Sequence, residues 1–184
     1  MFVRKLSLGV AAATVLVGGA QAADLIIPTT PMPIYEEAGF SWDGMYAGIR
    51  AGGIFNDGDD TDGVIGGVVG VNFAAADAFL VGAEVSGDYV WTDSDEDYGQ
   101  FLASVRAGAV VTDAALIYAI GGVGVNVADG DSDAIFQLGG GVEFLVTENV
   151  SVRGEVVGLG DFDDNGDDDF FESAKATVGV FYHF

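Results

Sequence analysis

The sequence ends in Val178-Gly-Val-Phe-Tyr-His-Phe184, where apolar and aromatic side chains alternate with other residues up to the last position. A period of two predicts a β-strand whose two faces meet different surroundings. One face carries Val178, Val180, Tyr182 and Phe184. We expect this face to contact lipid, with Tyr182 and Phe184 in the aromatic girdle at a membrane interface. The chain therefore predicts a membrane-spanning strand at its very end.

The other end of the chain predicts export. Arg4 and Lys5 form a charged start, an apolar core follows, and Ala20-Gln21-Ala22 has the small-x-small pattern of a cleavage site. Residues 1–22 are therefore predicted to be a signal peptide. Residues 23–41 contain all three prolines and are predicted to form an extended periplasmic segment. With no cysteine in the chain, neither a disulfide framework nor a lipidated cysteine is expected.

The net charge and the mean hydropathy of the chain are not both expected of a soluble protein. The formal charge is −23, although the mean hydropathy is positive at +0.39. Removing Arg4 and Lys5 with the signal peptide changes the charge to −25. The two properties agree if the acids lie in loops and the apolar residues face lipid. A chain this acidic is not expected to bind nucleic acid.

Period-2 alternation dominates from Trp42 onward. Eight segments follow this pattern, at about 43–55, 64–74, 78–91, 98–111, 116–127, 134–146, 150–160 and 173–184. Most of them have the length of about 9–11 residues that a tilted strand needs to cross a bilayer. We therefore predict an all-β fold, an eight-stranded antiparallel transmembrane β-barrel over residues 42–184. Closure removes free strand edges, so a monomer is expected.

The connections between these segments alternate in character. The first, third, fifth and seventh are acidic, at 56–63, 92–97, 128–133 and 161–172, whereas the others are short turns. An outer-membrane barrel has long outer loops, short periplasmic turns and both termini in the periplasm. The acidic connections are therefore predicted to be extracellular and the chain is predicted to lie in the cell outer membrane.

Strand parity directs charged side chains into the barrel, because a charge on the lipid face is costly. An eight-stranded barrel is just wide enough for its own side chains to fill. We predict a lumenal charge network that supports the barrel rather than conducts ions. Its members are Arg50, Glu84, Asp88, Arg106, Glu143, Arg153, Glu155 and Lys175.

A set of short motifs runs through residues 42–184. They include Trp42-x-Gly44-x-Tyr46, Gly82-x-Glu84, Ser104-Val105-Arg106, Arg153-x-Glu155 and Gly179-x-x-Tyr182-x-Phe184. In this order and spacing they resemble the small outer-membrane β-barrel (porin family) proteins of alphaproteobacteria, relatives of the OmpA and OmpX barrels. The chain departs from the family at Val156 and Gly158, which replace aromatic residues usual in the seventh strand. A weaker girdle is expected there.

The resemblance implies a structural protein of the cell envelope with no catalytic residues to carry over. It implies outer-membrane lipid and lipopolysaccharide as surroundings, and assembly by the barrel-insertion machinery through a signal at Phe184. No peptidoglycan-binding domain is expected after the barrel. Two alternatives to a structural role stay open: a narrow cation-preferring porin for small solutes, and an adhesin that acts through its loops.

The fourth outer loop formally matches the calcium-loop pattern D-x-[DN]-x-[DN]-G-x5-E. The candidate ligands are Asp161, Asp163, Asn165, Asp167, Asp169 and Glu172. The flanking strands are the wrong context, because this pattern normally joins two helices. A solvated acidic loop is the competing interpretation. No cofactor is expected, although all four acidic loops could associate loosely with Ca²⁺ or Mg²⁺.

An enzymatic function is not expected. The single histidine, His183, is predicted to face inward near the periplasmic rim. Nothing in the sequence places Ser151 or Ser173 beside it as a nucleophile.

Overall fold

The computed structural model describes residues 40–56, 61–76, 78–92, 97–128, 131–162 and 171–184. These residues form a closed antiparallel barrel of eight strands, as the sequence predicted. The strands are β1 (Gly44–Asn56), β2 (Thr61–Ala76), β3 (Phe79–Trp91), β4 (Tyr98–Thr112), β5 (Ala115–Ala128), β6 (Asp131–Leu145), β7 (Val150–Asp161) and β8 (Ser173–His183). None of the described residues forms a helix of the length and apolarity that a membrane span requires.

Each strand pairs with its neighbours in sequence, and β1 pairs with β8 to close the barrel. The closing register runs from Tyr46 opposite His183 to Asn56 opposite Ser173. At the periplasmic end, the Phe184 amide donates a hydrogen bond to the Met45 carbonyl at 3.0 Å. The last residue of the chain thus belongs to the seam that removes both free edges.

The predicted segments are confirmed, but two strands begin earlier than predicted. β2 begins at Thr61 and β6 at Asp131, so the first and third outer connections are shorter than predicted. The apolar alternation in the sequence ends where the strand leaves the lipid. The backbone pairing of the strand continues beyond that point into water, so the alternation alone places the strand end too early. Some acids assigned to loops, Asp62 and Asp133 among them, therefore lie on strands.

Aromatic side chains form two belts on the lipid face. The periplasmic belt contains Phe73, Phe79, Phe144, Tyr182 and Phe184. The extracellular belt contains Phe55, Tyr89, Trp91, Phe101 and Phe171. Aliphatic side chains fill the band between the belts, which is the arrangement of a barrel that spans a bilayer.

The extracellular belt is complete at β7, where the sequence predicted a weak girdle. The Phe171 ring packs against Gly158, and a methyl group added to Gly158 would lie 2.5 Å from the ring. Phe171 also lies 6.2 Å from Phe136, measured between ring centroids. An aromatic ring from the base of the fourth loop thus occupies the place of the missing strand aromatic. The expectation of a weak girdle is wrong, because parity along one strand says nothing about a neighbouring loop.

Candidate functional site

The inward face of the barrel holds large polar side chains opposite glycines. Tyr46 lies opposite Gly70 in the β1–β2 register, and Tyr118 lies opposite Gly141 in the β5–β6 register. A methyl group at Gly70 would lie 2.3 Å from the Tyr46 hydroxyl oxygen, and one at Gly141 would lie 2.5 Å from that of Tyr118. The glycines therefore provide the space in which the two phenols extend across a narrow lumen.

One charged cluster lies toward the extracellular end of the lumen. The Arg50 guanidinium binds Asp88 through two hydrogen bonds, of 3.0 and 2.6 Å, and binds Glu155 through a third of 3.1 Å. The Lys175 ammonium lies 3.1 Å from Asp88 and donates a 2.6 Å hydrogen bond to the Gln100 carboxamide oxygen. We call these groups the outer cluster.

A second charged cluster, the inner cluster, lies toward the periplasm. Glu143 accepts hydrogen bonds from Arg106 at 3.1 Å and from Arg153 at 3.0 Å. Arg153 also donates to Glu84 at 3.0 Å. Arg106 places two further N–H groups on the Asn72 side-chain oxygen, at 3.0 and 2.8 Å. Two guanidiniums and two carboxylates are therefore joined by ion pairs, although the buried Arg153 Nη2 atom, 3.0 Å from Glu143, makes no hydrogen bond among the described residues.

Both phenols connect strands through these clusters. The Tyr46 hydroxyl donates to Glu84 and the Tyr118 hydroxyl donates to Glu155, each at 2.6 Å. The Arg106 guanidinium lies 4.6 Å from the Tyr46 ring centroid and 5.0 Å from that of Tyr118, within cation–π range. The phenols extend the network beyond the eight predicted residues. Strand parity could have placed Tyr118 in the lumen, but only the fold shows which carboxylate it meets.

The structure brings all eight predicted lumenal residues together. Four cations and four carboxylates are joined by ion pairs of 2.6 to 3.1 Å. The paired side chains are at most 3% exposed. Because the cations and carboxylates are equal in number, the set as a whole is neutral. Such pairs persist in a dry interior only when hydrogen bonds satisfy both partners, and the removal of one partner is strongly destabilising.

The periplasmic mouth is closed by aromatic side chains that precede or end the barrel. The Trp42 indole lies within the lumen, and the residue is 6% exposed. The Trp42 backbone carbonyl accepts a 2.9 Å hydrogen bond from the Asn72 side-chain amide. The Phe40 ring packs edge-on against Trp42 at 4.9 Å and against His183 at 5.0 Å. Residues before β1 thus cover the inner cluster from below.

His183 faces inward at the end of β8, as predicted, and it meets a serine that the sequence did not place beside it. Its Nε2 atom lies 3.0 Å from the Ser151 hydroxyl and 3.0 Å from Glu143. A catalytic triad needs the carboxylate on Nδ1 and the hydroxyl on Nε2, whereas here both partners meet the same nitrogen. Ser151 is fully buried and donates its own hydrogen bond to Glu143 at 2.6 Å. This contact was not predictable from the sequence, because it depends on the pairing of β7 with β8. The arrangement of His183, Ser151 and Glu143 is that of a buried packing contact.

The predicted calcium loop falls mostly outside the described residues. Asp163, Asn165, Asp167 and Asp169 lie outside them, while Asp161 and Glu172 lie at the two ends of the loop. Within the described ranges, no three acidic or histidine side chains come close enough together to hold a metal ion.

Comparison with known proteins gives a family and a fold. The family model described as "Outer membrane protein beta-barrel domain" matches residues 10–184. No curated protein matches the sequence.

Three solved structures are similar in fold. Ail of Yersinia pestis, the attachment invasion locus protein, is 15% identical with a TM-score of 0.50, and the match covers 77% of this chain and 97% of Ail. The N-terminal β-barrel domain of Pseudomonas aeruginosa OprF is 13% identical with a TM-score of 0.52, covering 77% and 99%. Neisserial surface protein A is 12% identical with a TM-score of 0.51, covering 77% and 97%.

Proposed function

The chain belongs to the family of outer membrane protein β-barrel domains, and on that premise we propose that it is a closed structural barrel that supports the cell envelope and presents acidic extracellular loops. It lies in the outer membrane. The observation that carries the proposal is the lumenal network, in which four cations and four carboxylates pair in the barrel interior.

The network favours support over conduction for a physical reason. A conducting path needs continuous water, and water would have to displace ion pairs whose side chains are at most 3% exposed. Separating one such pair leaves a buried charge without its partner, at a cost of about 3–5 kcal/mol. Trp42 and Phe40 add an apolar barrier at the periplasmic mouth. The same pairs link β1, β3, β4, β6, β7 and β8 and stabilise the closed barrel.

Single-channel conductance in a planar bilayer tests this proposal. The mature chain, refolded and checked by its heat-shifted gel mobility, should give no current steps. The matched variant R50A/D88A removes one cation and its carboxylate together. The sum of lumenal charges stays neutral, but Lys175 and Glu155 also lose their ion pairs among the described residues. The lumen is then emptier and should conduct. Reproducible cation-selective steps from the unmodified chain would refute a closed lumen and favour the narrow porin.

The acidic loops are proposed to interact with lipopolysaccharide. Their carboxylates repel one another and the surrounding phosphates, and loosely bound Mg²⁺ or Ca²⁺ would relieve both repulsions. We also propose insertion by the barrel-assembly machinery through the Phe184 terminus, and a monomeric barrel because closure leaves no edge to pair.

An adhesin is the alternative in which the loops meet another cell. Reversing the charges of the fourth loop should then abolish binding to host cells while the heat-shifted band is kept. Binding that survives the reversal would exclude that loop as the adhesive element.

A further inference from the structure

Residues 40–43 lie across the periplasmic mouth without joining the sheet, and we call them the strap. The pairing of β1 with β2 begins only at Gly44, so the strap forms no backbone ladder with a strand among the described residues. It is nevertheless packed: Trp42 is 6% exposed, and Phe40 lies edge-on against it at 4.9 Å. Because no strand pairing has to break, the strap can leave the mouth of a barrel that stays closed.

Among the residues that the structure describes, two hydrogen bonds fasten the strap to the barrel. The Trp42 carbonyl accepts one of 2.9 Å from the Asn72 side chain, and the Asp43 carboxylate accepts one of 2.8 Å from the Ala74 amide. Asn72 in turn accepts two hydrogen bonds from Arg106. The strap thus covers the inner cluster and is joined to it through one amide side chain, while the outer cluster lies apart from it.

The closed position of the strap carries a cost. The Trp42 indole N–H is buried and has no hydrogen-bond partner among the described residues. A buried donor without a partner destabilises the position that buries it, whereas water satisfies the same N–H once the indole leaves the lumen. The ring contacts of Trp42 with Phe40 and His183 favour the closed position. The two effects oppose each other, as a strap that both closes and opens requires.

Gly44 has the backbone conformation of a hinge. Its φ is +122°, in a region that residues with a Cβ rarely adopt. A methyl group added at Gly44 would meet the Phe184 carbonyl oxygen at 3.6 Å, which is an ordinary contact. Backbone rotation therefore requires glycine here, and space does not. Because φ of Gly44 sets the direction of the chain that precedes β1, this rotation directs the strap into the lumen.

We infer that the strap is a lid hinged at Gly44, and that its opening gives periplasmic water and small polar solutes access to the inner cluster. The inner half of the lumen is then a periplasmic vestibule, which the outer cluster closes toward the cell surface. The inference rests on the proposed closed barrel and adds a moving element on one side of it. The two are tested apart, because conductance reports on the closed lumen and thiol labelling reports on the strap.

Thiol labelling can measure the opening because the chain has no cysteine of its own. Leu80→Cys places one thiol beside the strap, since Leu80 is 3% exposed and lines the same recess as Phe40 and Trp42. Val64→Cys is the matched control, fully buried near the extracellular end of β2. On the mature chain refolded in detergent micelles, a water-soluble maleimide should label L80C about tenfold or more faster than V64C. Local opening takes less free energy than unfolding of the whole barrel.

Gly44→Ala should raise the labelling rate of L80C about fivefold or more, because a residue with a Cβ disfavours the φ that closes the strap. The labelling rate of V64C should stay unchanged, which separates opening of the strap from unfolding of the barrel. The control Gly154→Ala adds a methyl group with no atom within 4 Å and should change neither rate.

If G44A does not give a heat-shifted band, Asp43→Ala takes its place. It removes the hydrogen bond from the Ala74 amide and should raise the L80C rate about threefold or more. Asp113→Ala makes the same change in the turn between β4 and β5 and should leave that rate unchanged. The inference is overturned if L80C and V64C are labelled at the same rate. It is also overturned if the strap variant leaves the L80C rate unchanged or raises both rates alike.

Discussion

Glu143 is the residue whose replacement should test the lumenal network most directly. It is fully buried and accepts hydrogen bonds from Arg106, Arg153 and Ser151, with His183 also at 3.0 Å. Glu143→Gln keeps the shape and removes the charge. Arg153 keeps Glu84 as an ion-pair partner, whereas Arg106 loses its only ion pair among the described residues.

The expected cost follows from that unpaired guanidinium. Removing one partner of a buried ion pair costs about 3–5 kcal/mol, so E143Q should lower the free energy of unfolding by about that amount. Urea unfolding in detergent micelles, followed by tryptophan fluorescence, measures it. Trp42 is a suitable probe because its ring lies 5.7 Å from that of His183, which contacts Glu143.

The control is Glu148→Gln, the same change at an exposed acid in the turn between β6 and β7. It should alter the free energy of unfolding by less than about 0.5 kcal/mol. Adding Arg106→Met to E143Q removes the unpaired charge and should recover part of the loss, a coupling of about 0.5–3 kcal/mol. If E143Q costs less than about 1 kcal/mol, the cluster is not the desolvated network that its geometry describes.

Three further perturbations have clear expected outcomes. Gly70→Ala should destabilise the barrel by about 1–3 kcal/mol, because the added methyl group meets the Tyr46 ring. The control is Gly154→Ala, whose added methyl group would have no atom within 4 Å. This control should leave the free energy of unfolding nearly unchanged in the same urea assay. Trp42→Ala should remove the apolar barrier at the periplasmic mouth. Its single-channel conductance in a planar bilayer is then compared with the fluorescence quenching of Trp91, the remaining tryptophan. A silent bilayer would show that the ion pairs alone close the lumen. Millimolar Ca²⁺ should raise the thermal unfolding temperature in detergent relative to chelator, and an unchanged temperature would eliminate loose cation binding by the loops.

Much of the fold was predictable from local sequence. Period-2 alternation is a property of one strand, so it identified eight strands and the inward position of Arg50, Arg106, Arg153 and Lys175. Strand ends were less predictable at Thr61 and Asp131, because backbone pairing continues after lipid contact ends.

Local sequence patterns thus predict a barrel with a lipid-facing surface, a charged interior and acidic connections. The partners that meet across the lumen follow only from the three-dimensional fold: Arg50 contacts Asp88, Tyr118 contacts Glu155, and Ser151 contacts His183. The contact of Phe171 with Gly158 likewise depends on the fold. The physical reason is that alternation assigns a side chain to a face, whereas its neighbours across the lumen depend on the register and tilt of strands that are distant in sequence.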